Sequence, residues 1–437
     1  MKIMFLDIYP KKKFRIIKDT NGQYGTANDF GNGFVANVLK YFTKNNLFWP
    51  PLYVAYAMSV LKQKGHIVDY SKSFVDSYDI YIFVSSIVSH ETEIQEIKKL
   101  SRLGKKIITI GPFASNNSKA YLDAGSNVIF NEAEFYFLKK DILNFDLEPK
   151  IVNEIDLDTD VNLLPIPYWD YFIKRKIITY GLFKKKLVVP ILATRGCPYS
   201  CYHYCVYPLA QGRKVRSMEP LKIVNEIKYW NKEFKVKYFV FRDPVFSINK
   251  KHTIELCREI INSKLKIKFN IETHLNNIDD ELSELLVKAG MDMIKVGIES
   301  YDENVLKSSK RKTIEHDKQI EKIRKFENLG VKVVTMYIIG MVGDTKKTVN
   351  QTINYAKRIN SYLSQFSIFT PYPGTPLFMD YKNIINTKKF ENFNQYNLVF
   401  EHPNLNNHIA RQLMDKAYNN LYLRLNWIIK FILFKFK

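Results

Sequence analysis

Three of the chain's four cysteines, Cys197, Cys201 and Cys205, fall within nine residues, in the run Arg-Gly-Cys-Pro-Tyr-Ser-Cys-Tyr-His-Tyr-Cys-Val-Tyr-Pro. Such clustering in a chain of 437 residues reads as a metal site and not as a disulfide framework. Thiolates suit soft metals and iron–sulfur clusters. Three in a tight loop hold three irons of a [4Fe–4S] cube and leave the fourth iron open to a substrate-like ligand. Structural zinc is the competing reading, with His203 as a candidate fourth ligand. Zinc ligands usually come as two separated pairs, however, and Cys257, the remaining cysteine, sits in a helical stretch with no partner nearby. Cys257 therefore reads as a buried helix residue.

The surrounding sequence predicts where that loop sits. Residues 1–145 alternate short strands (Ile3–Ile8, Ile67–Tyr70, Ile80–Val84, Lys106–Ile110, Val128–Phe130) with helical stretches (Pro51–Lys64, Glu91–Leu103, Ser118–Ala124, Ala133–Asp141). This pattern predicts a parallel sheet covered on both faces, a Rossmann-like doubly wound α/β domain with its ligand at the carboxyl ends of the strands. Residues 21–49, which begin Asn-Gly-Gln-Tyr-Gly, read as a long loop near that edge. Residues 146–186 read as a linker, acidic at Glu154, Asp156, Asp158 and Asp160 and then broken by Pro165 and Pro167. A second alternation from Leu187 supplies six βα units, with strands expected at Leu187–Ala193, Tyr238–Phe241, Ile267–Thr273, Met293–Ile298, Val331–Ile339 and Gln365–Phe369. These predict a partial (β/α)6 TIM-type barrel over 187–385, whose chemistry sits at the carboxyl ends of its strands. The cysteine loop follows the first of them. Residues 386–437 read as a C-terminal helical segment.

Composition narrows the class. The formal charge is +22, but Lys far outnumbers Arg, and the excess is spread along the chain with only small clusters at Lys11–Lys13 and Lys184–Lys186. No recognition module accompanies it, so no nucleic-acid partner is expected. No signal peptide is visible, and a reducing, cytoplasmic location is expected. No apolar run reaches the roughly 18–20 residues of a membrane helix. The stretch Leu425–Lys437 is apolar with interspersed Lys. It either lies on a membrane surface as a peripheral contact or packs as a final helix.

On these residues the chain resembles the radical S-adenosylmethionine (SAM) superfamily, in particular the subgroup with an N-terminal cobalamin-binding domain. The cysteine loop carries the resemblance, joined in order by Phe241-Arg-Asp-Pro-Val-Phe246, Gly297-Ile-Glu-Ser300, Ile339-Gly-Met-Val-Gly-Asp-Thr345 and Pro371-Tyr-Pro-Gly-Thr-Pro376. The departure is the spacing. The family's Cys-x3-Cys-x2-Cys is here Cys-x3-Cys-x3-Cys. Because both flanks agree with the family, Cys205 is assigned as the third ligand and the extra residue as a loop bulge.

The resemblance implies a [4Fe–4S] cluster, SAM as the molecule it cleaves, an electron donor such as flavodoxin or ferredoxin, and a small-molecule or lipid-like substrate. It places Tyr204 near the adenine, Asp243 near the cofactor's amino group, and Glu299 at the ribose hydroxyls or amino group. It brings Gly340 close to the adenine, and Thr273 and His274 line the pocket. Local alternatives are a turn role for Asp243, a helix-end charge for Glu299 and packing for His274. In the N-terminal domain, Pro50-Pro51-Leu52, Gly111-Pro112-Phe-Ala-Ser115 and Asn131-Glu132-Ala-Glu134 resemble the cobalamin-contacting runs, each of the last two short of one Gly. Ser85, Ser86 and Ser89 follow the strand that would face the corrin, as contacts or as a polar strand end. No Asp-x-His-x-x-Gly motif offers cobalt a histidine. The domain therefore reads as a cobalamin site or as a Rossmann-like domain retained for packing or substrate binding. The implied activity is methyl transfer to an unactivated carbon or phosphorus through a 5′-deoxyadenosyl radical. The alternatives are oxidative ring cyclisation or a cluster-binding protein with impaired catalysis.

Overall fold

The computed structural model describes residues 1–18, 22–142, 148–152, 156–181 and 186–436. Asn21, Glu154, Lys184, Lys185 and Lys437 of the segments above lie outside the described residues.

The N-terminal sheet is parallel, with strands β1 (Lys2–Leu6), β2 (Ile67–Ser71), β3 (Ile80–Val84), β4 (Lys106–Ile110), β5 (Asn127–Ile129) and β6 (Ile151–Val152) in the order β2-β1-β3-β4-β5-β6. Its central strands are apolar throughout, as expected where helices cover both faces; Ile80 to Val84 are all buried. The chain order reverses between β1 and β3, which puts a ligand crevice beyond their carboxyl ends. Two segments depart from expectation. The sixth strand comes from the stretch read as linker, because Ile151 and Val152 pair with Val128 and Ile129. Residues 21–49 are not one loop. Thr26–Ala27 pairs with Ile16–Ile17 in a short hairpin, and helix α1 (Phe34–Asn46) follows. Gly and Asn at 21–33 mask a helical pattern that begins only at Phe34.

The second sheet contains β7 (Val188–Ile191), β8 (Tyr238–Phe241), β9 (Lys268–Thr273), β10 (Met291–Glu299), β11 (Lys332–Ile339) and β12 (Leu363–Ile368), all parallel and in sequence order. Helices over Pro220–Phe234, Lys250–Asn262, Asp280–Ala289, His316–Asn328 and Lys346–Ile359 alternate with them. This is six units of an eight-unit barrel, and no pairing joins β7 to β12 among the described residues. Helices α2 (Asn407–Tyr422) and α3 (Leu425–Phe436) end the chain. The hydroxyls of Tyr418 and Tyr422 on α2 accept from the backbone N–H groups of Phe366 and Ser364 on β12, at 3.1 and 2.8 Å. Cys257 is fully buried in its helix, as expected. Among the described residues no helix is long and apolar enough to cross a membrane.

Candidate active site

The cysteine loop leaves β7 through a two-residue ladder, Thr194–Arg195 against Arg216–Ser217, which pins both of its ends. Gly196 is obligatory there. Its φ is +91°, and a Cβ would stand 2.0 Å from the Lys214 carbonyl oxygen. Residues Ser200–His203 make a single helical turn, and the N–H groups of Tyr204 and Cys205 both donate to the Cys201 carbonyl, at 3.1 and 3.0 Å. The turn takes up the extra residue between Cys201 and Cys205, and all three cysteines line one cavity of about 680 Å³ inside the barrel.

The thiols interact. A hydrogen bond joins Cys201 to Cys205. That bond and then the Arg311 guanidinium bring Cys201 down to about 7 against the opposing effect of burial, while Cys205 is pushed up. Burial raises Cys197 to about 11. Three thiols on one buried cavity beside the Arg311 guanidinium are a donor set that fits a soft metal cluster. Among the described residues no three His, Cys, Asp or Glu side chains group around a single-ion site. His203 faces Asp380 at 3.7 Å instead.

Several expected residues meet the thiols in this cavity. Tyr204, Thr273, His274 and Glu299 all line it. Glu299 lies just past a register shift in the β10–β11 pairing, with φ of +66°, and such backbone strain concentrates at functional sites. Its carboxylate is 3.1 Å from Arg311, and burial raises its pKa against that partner. Burial, then Arg311, hold His274 down to about 3, so its imidazole is neutral. Arg311 and Glu272 are among the cavity residues that the sequence did not single out. Arg311 donates to the Gly297 carbonyl at 3.1 Å and reaches both Glu299 and Cys201. Glu272 lines the same wall from β9.

Other expected residues lie elsewhere. The Asp243 carboxylate faces the backbone, not the cavity. It accepts from Ala193 N at 3.1 Å, from Thr194 N and from Thr194 Oγ1 at 2.8 Å, and burial raises it to about 7 against those bonds. Its role here is to fix the strand end from which the cysteine loop springs. Gly340, at φ +84°, lies off the cavity lining and donates to Asp344 at 2.9 Å. Ser85 Oγ accepts from Ala114 N at 3.1 Å, and Ser86 bonds Glu93. Gly111, Pro112 and Glu132 line a separate space of about 50 Å³ between the domains. Glu132 there belongs to a buried ion cluster with Arg195, Arg216 and Glu134.

The crevice beyond β1 and β3 is filled by the chain itself. Lys18 is buried there, its Nζ 2.7 Å from Glu93, 2.7 Å from the Val84 carbonyl and 3.2 Å from Asp7. Tyr24 seals the adjoining domain interface, packing on Phe113 and Tyr372 and donating to the Pro373 carbonyl at 2.9 Å.

A Rossmann-like domain is thus ion-paired to an open parallel barrel that carries three cysteines in the loop after its first strand, with Glu299 and Arg311 in the same cavity. Residues 191–356 match the sequence profile of the radical SAM superfamily. An uncharacterized methyltransferase of Pyrococcus horikoshii is 27% identical over 296 residues, 66% of this chain and 62% of the relative. The chain thus spans under two thirds of that relative's length. The anaerobic magnesium-protoporphyrin IX monomethyl ester cyclase of Cereibacter sphaeroides is 25% identical over 85% of this chain and 66% of the relative. Among solved structures, the cobalamin-dependent SAM radical enzyme OxsB, with aqua-cobalamin and SAM bound, superposes with a TM-score of 0.66 at 12% identity, covering 95% of this chain and 66% of OxsB.

Proposed function

We propose that this enzyme cleaves SAM reductively in the barrel cavity, uses the resulting 5′-deoxyadenosyl radical to abstract a hydrogen atom from an unactivated carbon or phosphorus of a small or lipid-like substrate, and replaces that hydrogen with a methyl group supplied by a second SAM, the electrons coming from a flavodoxin- or ferredoxin-like donor. The carrying observation is the convergence of Cys197, Cys201, Cys205, Arg311 and Glu299 on one cavity. A [4Fe–4S] cluster on the three thiolates supplies, when bound, the single electron that breaks the bond between sulfur and the 5′ carbon. The chain's own residues do the positioning. Glu299 offers a carboxylate to ammonium or hydroxyl donors. Arg311 neutralises it and steadies Cys201. Tyr204, packed on Phe369 with ring centres 5.3 Å apart, presents an aromatic face beside the cysteines.

Methyl transfer is favoured by the methyltransferase relative. The cyclase relative keeps oxidative ring closure as the second reading. Cobalamin is the cofactor the resemblance implies for methyl transfer. Lys18 and Tyr24 stand at the carboxyl ends of β1 and β3, where a ligand of that domain would lie.

The deciding experiment is anaerobic reconstitution with iron and sulfide, then SAM and dithionite, with chromatographic detection of 5′-deoxyadenosine. Product formation is expected. An intact cluster spectrum without product would overturn the proposal. Glu299→Gln is expected to weaken SAM binding by about 10- to 100-fold, the worth of a hydrogen bond to a charged group, measured by equilibrium dialysis.

A further inference from the structure

Two helices with exposed apolar outer faces wall the cavity. From α1, Leu39 and Thr43 line it; from α3, Phe431 and Phe434 do. Both helices are tied to α2. Asp415 on α2 accepts from the N–H groups of Asn32 and Gly33 at the start of α1, at 2.7 and 2.8 Å. Tyr422 at the end of α2 packs on Trp427 of α3 with ring centres 4.5 Å apart.

The inner face of α3 is tightly docked. Trp427 Nε1 donates to the Tyr362 carbonyl at 3.0 Å, Phe431 stacks on Tyr362 at 5.2 Å, and Lys430 pairs with Glu327 at 2.5 Å. The outer face carries Leu425, Ile428, Ile429, Ile432 and Leu433, 39–69% exposed. Their spacing of i, i+3, i+4, i+7 and i+8 is one continuous stripe. On α1, Phe34, Val38 and Tyr41 repeat the pattern at 73, 38 and 66% exposure. No other helix among the described residues exposes three large apolar side chains. Single exposed apolar residues are ordinary, whereas contiguous stripes mark interaction surfaces.

We propose that α1 and α3 form a membrane-docking face that rests on an anionic lipid surface. Charge decides the occupant. Neither helix contains an Asp or Glu. Lys44 on α1 is exposed, and its Nζ donates to the Lys12 carbonyl at 2.6 Å, which brings the exposed Lys11–Lys13 run beside the end of that helix. The whole chain carries +22. A second copy docking through the same stripes would bring like-charged rims together. An anionic headgroup layer meets apolar stripe and basic rim at once, the combination by which interfacial helices bind. Docked in this way, the helical wall of the cavity lies against the lipid.

Co-sedimentation with vesicles tests this without cluster or SAM turnover, so its failure leaves the SAM-cleavage proposal standing, and the reverse holds. The protein is expected to pellet with vesicles of equimolar phosphatidylcholine and phosphatidylglycerol. Binding should weaken by about tenfold or more with phosphatidylcholine alone or at high salt. The Ile429→Asp/Leu433→Asp double variant, and separately Phe34→Ser/Tyr41→Ser, should each lower binding at least about tenfold. Thermal melts should stay unchanged, because all four side chains are exposed. Three results would overturn the proposal: no binding to anionic vesicles, binding indifferent to the Ile429→Asp/Leu433→Asp substitutions, or a stable wild-type dimer that those substitutions dissociate.

Discussion

A Cys205→Ala protein, reconstituted anaerobically, is expected to lose the [4Fe–4S] absorbance and to form 5′-deoxyadenosine more than about 1,000-fold more slowly than wild type. Loss of an outer-shell partner of a metal ligand alone costs about 10- to 100-fold, and here a proposed ligand itself is removed. Cys205 is the informative choice because the spacing makes it the least regular of the three. The turn over Ser200–His203 brings its thiol into hydrogen bond with Cys201 and onto the same cavity as Cys197. Two controls give the result its meaning. Cys257→Ala should leave cluster and product unchanged, since that thiol is buried in a barrel helix away from the cavity. His203→Ala should also retain the cluster, because His203 stands against Asp380 and not among the thiols. A Cys205→Ala protein with a wild-type spectrum and rate would refute the assignment, and a His203→Ala protein without metal would restore the zinc reading.

Much of this was legible in the sequence because the features involved are local. The strands Ile80–Val84, Lys106–Ile110 and Tyr238–Phe241 lie where their apolar runs put them, and the cysteine loop declares itself by three cysteines within nine residues. Arg311 was not legible. It stands in Lys310-Arg311-Lys312, which reads as a solvated charge run until the fold turns it onto Glu299 and Cys201. Glu272 left a weak signal. In β9, Asn270 and Glu272 alternate with the apolar Phe269 and Ile271, a period of two with polar side chains inward that suits a barrel lining a polar cavity. Asp243 shows the opposite failure. Its place at a strand end fits a cofactor contact, and only the structure shows that backbone N–H groups take up its carboxylate. Lys18 is the clearest limit, since no local pattern says that a lysine before a Gly-rich stretch will be buried between Asp7 and Glu93.

Glu132 and Glu134 were read as part of a cofactor-contacting run, but their geometry predicts a structural effect of comparable size to the loss of a cysteine ligand. Arg195, two residues before Cys197, crosses from the barrel to the N-terminal domain. Its Nη1 is 2.6 Å from Glu132 and its Nη2 2.6 Å from Glu134, while Arg216 holds Glu132 at 2.8 Å. All four side chains are at most 6% exposed. Arg195→Ala leaves Arg216 to satisfy Glu132 but strands Glu134 in a dry site. Removing one partner of a buried pair costs about 3–5 kcal/mol, a large share of the roughly 5–15 kcal/mol that a folded domain commands. A markedly lower melting temperature is therefore expected by calorimetry. Its pH dependence identifies the cause. Burial already raises the Glu134 pKa, with Arg195 opposing it. Without Arg195 the folded-state pKa rises further above the unfolded value near 4.5. A carboxyl shifted in that direction favours the folded state below its unfolded pKa and loses that contribution as pH rises through the folded one. The defect of Arg195→Ala should therefore be smaller at pH 5 than at pH 8. Adding Glu134→Gln, which removes the stranded charge, should recover part of the loss and flatten the pH dependence. A pH-independent defect, or one that Glu134→Gln deepens, would mean that Arg195 acts through packing on Tyr56 and Phe135, over whose rings its guanidinium lies at 5.9 and 5.5 Å, and not through the buried charges.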